Sequence, residues 1–320
     1  MGIKCLTKLL GQKAPKSIQT DQLHKLSGKK VAIDSSLFIY QFLMNGFHPS
    51  NHISGIFYKT INYLALGIEP IYIFDGKPPE QKCEIIKERK KKAEDAKNEL
   101  QNCTNQKDMK KYKKQSIRMT QQHTNDIKKL LNLMGVTYLH IDGEAEAIAS
   151  ELCRIGYVDY VVTEDMDSLP FGCPRLIRNC LDKSIKRNDL ISILNLEKIL
   201  EELEINYEQF VELCILCGCD YCLNIPRVGN VTAFNIIKTY GSIENFLKNN
   251  TKFRIPDNYE NTYKKSKELF MMYRDKLNID ELPFNKSIMN KKDLHSYLVY
   301  ECKLPEKNVF NAIKKLNNIY

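Results

Sequence analysis

Four short runs of β-branched and aromatic residues recur along the chain, and each leads into acidic residues. Lys30-Val31-Ala32-Ile33 meets Asp34, and Ile71-Tyr72-Ile73-Phe74 meets Asp75-Gly76. Tyr138-Leu139-His140-Ile141 leads to Asp142-Gly143-Glu144, and Tyr160-Val161-Val162-Thr163 to Glu164-Asp165. Runs that are apolar at nearly every position predict strands covered on both faces, hence a parallel sheet. Between them apolar residues recur at helical spacing, as from Ile53 to Leu66 and from Ala145 to Ile155. Strands alternating with helices predict an α/β fold with a mostly parallel central sheet flanked by helices. The pattern from about 190 to 247 predicts helix throughout. Beyond 250, turn residues precede two or three weaker helices.

In such sheets ligands bind beyond the carboxyl ends of the strands. The strand-end acids Asp34, Asp75, Glu144, Glu146, Asp165 and Asp167 are therefore expected at one edge. Any one of them also reads as a helix N-cap; four recurrences favour a shared site. Carboxylates crowded together resist ionisation, and divalent cations relieve them, Mg²⁺ and Mn²⁺ being suited to carboxylate and water ligands. Glu144/Glu146 and Asp165/Asp167 are each two apart, a spacing that shares a face in extended or turn backbone but not in a helix. Each pair is expected just before a helix begins.

Residues 80–129 break the pattern. They are rich in Lys, Glu and Gln, with a thin apolar stripe of Ile85, Ile86, Leu100, Met109 and Ile117. Residues 82–118 carry 13 Lys and Arg against six acids, a surplus of seven within a net charge of +9 for the whole chain. Such a focus predicts a basic helical excursion that meets a polyanion, against the plainer reading of a solvated face or a localisation run. A basic arch beside an acidic metal site fits a nucleic-acid hydrolase: cations hold the polymer, and paired ions clamp the phosphodiester.

Other features narrow the class. The chain has 320 residues, 43% of them hydrophobic, enough for a substantial core. No apolar run approaches the ~20 residues of a membrane span, and the opening residues lack a secretory pattern. The 11 cysteines are irregularly spaced, which predicts a reducing compartment. Cys214, Cys217, Cys219 and Cys222 form two C-x-x-C pairs one residue apart, too close for a zinc module.

The motifs in their order resemble the flap endonucleases, the structure-specific 5′ nucleases of the xeroderma pigmentosum group G family. The likeness rests on Met1-Gly2-Ile3, Val31-Ala32-Ile33-Asp34, Ile39-Tyr40-Gln41-Phe42-Leu43 and Phe74-Asp75-Gly76-Lys77-Pro78-Pro79. It continues through Glu144-Ala145-Glu146-Ala147, Thr163-Glu164-Asp165-Met166-Asp167 and Gly218-Cys219-Asp220-Tyr221-Cys222. It implies a PIN-like 5′ nuclease fold with a basic helical arch and a helix–two-turn–helix motif. The implied divisions are a nuclease region at 1–100, an arch at 80–129, an internal nuclease region at 118–247 and a C-terminal helical wrap at 248–320.

The resemblance further implies two Mg²⁺, replaceable by Mn²⁺. Asp34, Asp75, Glu144 and Glu146 would hold one, and Asp165, Asp167 and Asp220 the other, partly through water. Lys82 and Arg89 match a basic pair at the arch base, aimed at the scissile phosphate. Tyr40 matches a base-stacking residue, with core packing as its plainer reading. Lys59 matches a basic DNA contact, and Gly2 a buried amino-terminal region near the substrate. Glu144 and Asp220 are counted among the residues lining the DNA path.

Residues 208–240 resemble the duplex-binding helix–two-turn–helix, including Gly218, Arg227 and Gly229, with K⁺ as its monovalent ion. Here Arg227 stands in place of the motif's first glycine. The implied substrate is branched, 5′-flapped DNA, and the implied activities are flap cleavage and 5′–3′ exonuclease action in replication and long-patch base-excision repair. A monomer in the nucleus, with no membrane, is expected. A sliding clamp is a candidate partner whose binding box is absent before Tyr320, and the 44–52 connection is short for the family. The alternatives are a sister exonuclease or junction-resolving branch, and a non-catalytic DNA-binding scaffold. A dehalogenase-type phosphatase is disfavoured because Ser35-Ser36 follows Asp34.

Overall fold

The computed structural model describes residues 2–44, 48–103, 105–179, 190–274 and 276–316. The 44–52 connection lies partly outside these residues, as do Met1 and Tyr320. Helix α1 (Leu6–Lys13) and strand β1 (Ile18–Gln22) come first, then β2 (Lys30–Asp34), α2 (Ser35–Met44), α3 (Asn51–Ala65) and β3 (Glu69–Phe74). A 3₁₀ turn (Glu80–Lys82) leads into α4 (Cys83–Asn102), α5 (Gln106–Gln115) and α6 (Gln121–Met134). Next are β4 (Tyr138–His140), α7 (Ala145–Arg154), β5 (Tyr160–Val162), β6 (Arg175–Arg178) and β7 (Leu190–Asn195). The rest holds α8 (Leu196–Leu203), α9 (Tyr207–Cys217), α10 (Asn230–Tyr240), α11 (Ile243–Asn249), α12 (Tyr259–Met271), β8 (Phe284–Asn285), α13 (Lys291–Ser296) and α14 (Glu306–Leu316).

The strands form one sheet in the order β1-β7-β6-β5-β2-β3-β4-β8. The five from β6 to β4 run parallel, while β7, β1 and β8 add antiparallel edges. Ala32, central in β2, pairs with Ile71 on one side and Val161 on the other. Alternate residues feed two cores. Ala32, Ile71, Ile73 and Val161 pack with Leu6, Ile148, Leu152 and Phe210 on one face. Val31, Ile33, Tyr72, Phe74 and Val162 pack with Phe57, Ile127, Leu130 and Val309 on the other. With both faces covered, the four runs are apolar at nearly every position, as expected of buried parallel strands.

Leu190–Asn195 corrects the expectation of helix from 190. It is a strand, antiparallel to β1 and β6, with Ile191 and Leu194 buried. Its apolar residues, Leu190, Ile191, Ile193 and Leu194, fall at a spacing that also reads as helix, and it runs directly into α8. The basic segment holds two polar helices. Helix α4 buries only Ala93 and Ala96, and α5 buries nothing. Helix α6, which begins inside 80–129, is instead a core helix with Ile127, Leu130, Leu131 and Met134 fully buried.

Strand β2 lies where the connections diverge, since β3 flanks it on one side and β5 on the other. That is the switch point at which an α/β sheet opens a crevice beyond its carboxyl ends, and Asp34 is the last residue of β2.

Candidate active site

Each acid reaches the crevice by a local rule. Asp34 closes β2, and its Oδ1 accepts from the Leu37 N–H at 3.2 Å, capping the start of α2. Asp75 follows β3, and its Oδ1 accepts from the Ala145 N–H at 2.8 Å. Glu144 is the N-cap of α7 in extended backbone, and Glu146 sits in the first turn. Asp165 precedes the 3₁₀ turn Met166–Ser168, and its Oδ1 accepts from the Asp167 N–H at 3.1 Å. Both two-apart pairs thus straddle the start of a helical turn. Asp34 and Asp165 each cap a helical start with one carboxylate oxygen, whereas Glu144 stands at the N-cap position of α7 without a side-chain cap bond.

The atoms converge. Ligand oxygens of Asp75, Glu144 and Glu146 lie within 4.8 Å of one another, the one such group of three or more among the described residues. Burial drives the Asp34 carboxyl up to about 7, with Asp75 and Asp165 adding repulsion. Burial first, then Asp34 and Asp75, raises Glu146 well above the carboxylate range. Asp167 is pushed the same way by burial, then by Asp165 and Asp220. Glu144 and Asp165 are raised chiefly by burial. These acids therefore form two neighbouring sets, one around Asp34 and one around Asp167. The Oδ1 of Asp167 is buried without a hydrogen-bond partner.

Two cations close the site from the arch. Lys82 Nζ donates to Glu144 Oε2 at 2.5 Å, and Arg89 Nη2 donates to Asp220 Oδ2 at 2.5 Å. Burial opposes the Lys82 ammonium, but Glu144, Glu146 and Asp75 outweigh it and hold it above its ordinary value. Seven residues apart on the α4 side, the two are two helical turns apart on one face. They connect the arch base to both carboxylate sets.

Thr163 was not singled out from the sequence. Its hydroxyl donates to Asp34 Oδ2 at 3.0 Å and accepts from the Asp165 N–H at 3.1 Å, tying two strand ends together. Tyr221 was also missed as a separate contributor: its hydroxyl donates to Glu144 Oε2 at 3.1 Å. No local pattern marks either residue, because Asp34 lies 129 residues from Thr163 and Glu144 lies 77 from Tyr221.

The remaining candidates fall around this centre. Gly2 has φ +79°, and a β-carbon there would lie 1.9 Å from Asp165 Oδ1 and 2.6 Å from Asp167 Oδ1. Tyr40 is half-buried on α2 while Phe38 and Ile39 are fully buried, so its ring lies outside the core. Lys59 Nζ lies over the Tyr63 ring, 5.1 Å from its centroid. Gly218 ends α9 with φ +105°, and its carbonyl accepts from the Lys4 N–H at 3.0 Å. Arg227 is exposed with φ +68°, a left-handed conformation that favours glycine. Gly229 caps α10 in extended backbone, and a β-carbon there would meet nothing within 4 Å. The four cysteines from Cys214 to Cys222 are buried free thiols, raised by burial, and form no metal-ligating group among the described residues.

Comparison with known proteins agrees with this geometry. Residues 1–96 match the XPG N-terminal domain and residues 135–220 the XPG I-region. Flap endonuclease 1-A of Sorghum bicolor is 39% identical over 99% of this chain and 87% of its own length. The chain belongs to the flap endonuclease family. Within that family, flap endonuclease 1 of Entamoeba histolytica is 37% identical over 100% of this chain and 88% of its own. The solved flap endonuclease-1 from Methanococcus jannaschii superposes with a TM-score of 0.73 at 27% identity, covering 97% of this chain and 98% of that one. The catalytic core of Rad2 in complex with a DNA substrate shares the fold, with a TM-score of 0.75 at 22% identity over 98% of this chain and 99% of that one. The flap endonuclease fold thus spans the chain, from the Gly2 approach to the C-terminal helices.

Proposed function

We propose that this chain is a divalent-metal-dependent, structure-specific nuclease that incises branched DNA at 5′ flaps and degrades 5′ ends. Its work is Okazaki-fragment maturation and long-patch base-excision repair in the nucleus, as a monomer. One observation carries the reading. Ligand oxygens of Asp75, Glu144 and Glu146 lie within 4.8 Å of one another, Asp34 and Asp167 feel the charges of Asp75, Asp165 and Asp220, and Lys82 and Arg89 bind Glu144 and Asp220 from the arch side.

The residues fit metal ions. Burial and mutual repulsion disfavour the anions of these carboxylates, which a bound cation would relieve, and the buried Asp167 Oδ1 has no hydrogen-bond partner to occupy it. Oxygen-only ligands suit Mg²⁺, with Mn²⁺ as substitute. Asp34, Asp75, Glu144 and Glu146 would hold one ion, and Asp165, Asp167 and Asp220 a second. When bound, such a pair activates water and stabilises the leaving oxygen of a phosphodiester.

The chain's own groups do the rest. Lys82 and Arg89 stand at the rim and exchange a carboxylate partner for the scissile phosphate, stabilising its developing charge. The basic faces of α4 and α5 neutralise backbone phosphates of the unpaired strand. Tyr40 offers a ring for a base near the cut, and Lys59 a cation for the duplex. Gly218, Arg227 and Gly229 form the duplex-gripping turns. Open space at Gly229 supports a backbone approach to phosphate, with K⁺ between them.

The test is a labelled double-flap duplex, incubated with and without Mg²⁺. Incision at the flap base only with Mg²⁺, and its loss in Asp165→Ala with DNA binding retained, is the expected result. Absence of incision by the wild type overturns the activity, and wild-type turnover by Asp165→Ala overturns the metal assignment.

A further inference from the structure

Tyr221 adjoins Asp220, yet its own side chain turns to the other carboxylate set. Its hydroxyl donates to Glu144 Oε2 at 3.1 Å, the same oxygen that accepts from Lys82 Nζ at 2.5 Å. Two donors on one oxygen hold the carboxylate and leave Glu144 Oε1 outside both bonds, and a Glu144 oxygen lies within 4.8 Å of oxygens of Asp75 and Glu146. The ring has a second contact. Lys82 Nζ lies over it, 5.6 Å from the centroid, within range of a cation–π attraction. One side chain therefore touches both a carboxylate and the cation that binds it.

Tyr221 is itself held firmly. It is buried, and its backbone carbonyl accepts from the Ser266 hydroxyl at 2.6 Å. Its ring packs edge-on against Phe270 of α12 at 5.3 Å and Phe171 at 6.2 Å, and those two rings meet at 4.9 Å. Phe171 comes four residues after Asp167, just past the Met166–Ser168 turn, and its N–H donates to the Asp167 carbonyl at 3.2 Å. The aromatic trio thus joins the Asp165/Asp167 turn to the loop of Asp220, while the tyrosine hydroxyl reaches across to Glu144.

We propose that Tyr221 is a positioning residue for the cleavage reaction: its hydroxyl orients Glu144 for metal, and its ring seats the Lys82 ammonium for the phosphate. This rests on the nuclease reading above. The two contacts separate by substitution. Tyr221→Phe removes the hydroxyl and keeps the ring. Tyr221→Leu removes both.

The test measures Mn²⁺ binding by electron paramagnetic resonance without DNA, and single-turnover cleavage of a double-flap duplex across Mn²⁺ concentrations. Tyr221→Phe is expected to melt near the wild-type temperature, bind Mn²⁺ about tenfold more weakly, and recover most of its rate at saturating metal, as suits loss of one hydrogen bond to a charged group. Tyr221→Leu is expected to lose at least a further tenfold in rate at saturating metal, with unchanged DNA affinity. Wild-type Mn²⁺ affinity in Tyr221→Phe overturns the role toward Glu144. Equal saturating rates for the two variants overturn the role toward Lys82. If Tyr221→Leu does not fold, Tyr221→Phe paired with Lys82→Met decides, because a rate loss in Tyr221→Phe at saturating metal contradicts the division of roles. If the wild type does not cut flaps, the nuclease reading fails, while the metal-binding comparison still judges the Glu144 contact.

Discussion

Arg89 Nη2 stands 2.5 Å from Asp220 Oδ2, across 131 residues of chain. Asp220 belongs to the loop after α9, and Arg89 to the second turn of α4. The contact fastens the base of the basic arch to the carboxylate edge. The Arg89 side chain is half exposed, so the pair adds little to stability. Its value lies in where it holds a guanidinium. Arg89→Ala is therefore expected to leave the melting temperature within about 2 °C, since exposed pairs contribute about 1 kcal/mol or less. Single-turnover cleavage should fall by about 10²–10³-fold, the loss typical of removing one donor to developing charge. A large fall in melting temperature with little change in rate would contradict this.

The Asp34 carboxyl, raised by burial and by Asp75 and Asp165 to about 7, links stability to pH. The folded state binds that proton more tightly than the unfolded state, whose carboxyl keeps the ordinary value of 3.8. Stability from this group is thus fully present below pH ~4 and is lost as pH rises through about 7. In chelator, Asp34→Asn should show a flatter decline in melting temperature between pH 5 and 8 than the wild type, and should melt higher at pH 8. Calorimetry across that range checks it. Mg²⁺ should stabilise the wild type more at pH 8 than at pH 5.5 and should stabilise Asp34→Asn less. Parallel pH curves for the two proteins would refute the linkage.

Gly2 is needed where it is, for two reasons. Its φ of +79° is costly for any residue with a β-carbon, and that carbon would collide with Asp165 Oδ1 at 1.9 Å. Gly2→Ala is predicted to displace the Asp165/Asp167 turn, raising the Mg²⁺ concentration for half-maximal cleavage at least fivefold. The fold should survive, because the N-terminal segment before α1 can shift. A metal titration of cleavage, with circular dichroism as the folding control, decides it.

Arg227 bears a left-handed conformation, φ +68°, at an exposed turn. Arg227→Gly relieves a strain of about 1 kcal/mol, offset in part by the backbone entropy of glycine. A slightly higher urea midpoint is expected. If the guanidinium meets a phosphate, the same variant should reduce the salt dependence of duplex binding by about one counterion. An unchanged salt slope would assign Arg227 to the turn alone.

The strand cores and their closing acids were legible in the linear chain because burial on both faces removes polar residues from a run, and a run must end where the crevice opens. The edge strands were not. Ile18–Gln22 is mostly polar, and Leu190–Asn195 merges with the helix after it. Such strands take their identity from hydrogen bonds to neighbours far along the chain, not from local spacing. The order of the motifs carried the family, and through it Asp220, Lys82 and Arg89.

What the chain determined alone was which residues are apolar, where elements begin, and that acids follow strands. Tertiary structure decided the rest: that Asp75, Glu144 and Glu146 meet within 4.8 Å, and that Tyr221 reaches Glu144 from 77 residues away. Periodicity records which face of an element is buried; only the packed sheet sets which remote side chains share a few ångströms of space, and there burial and mutual repulsion shift carboxyl groups far from their ordinary values.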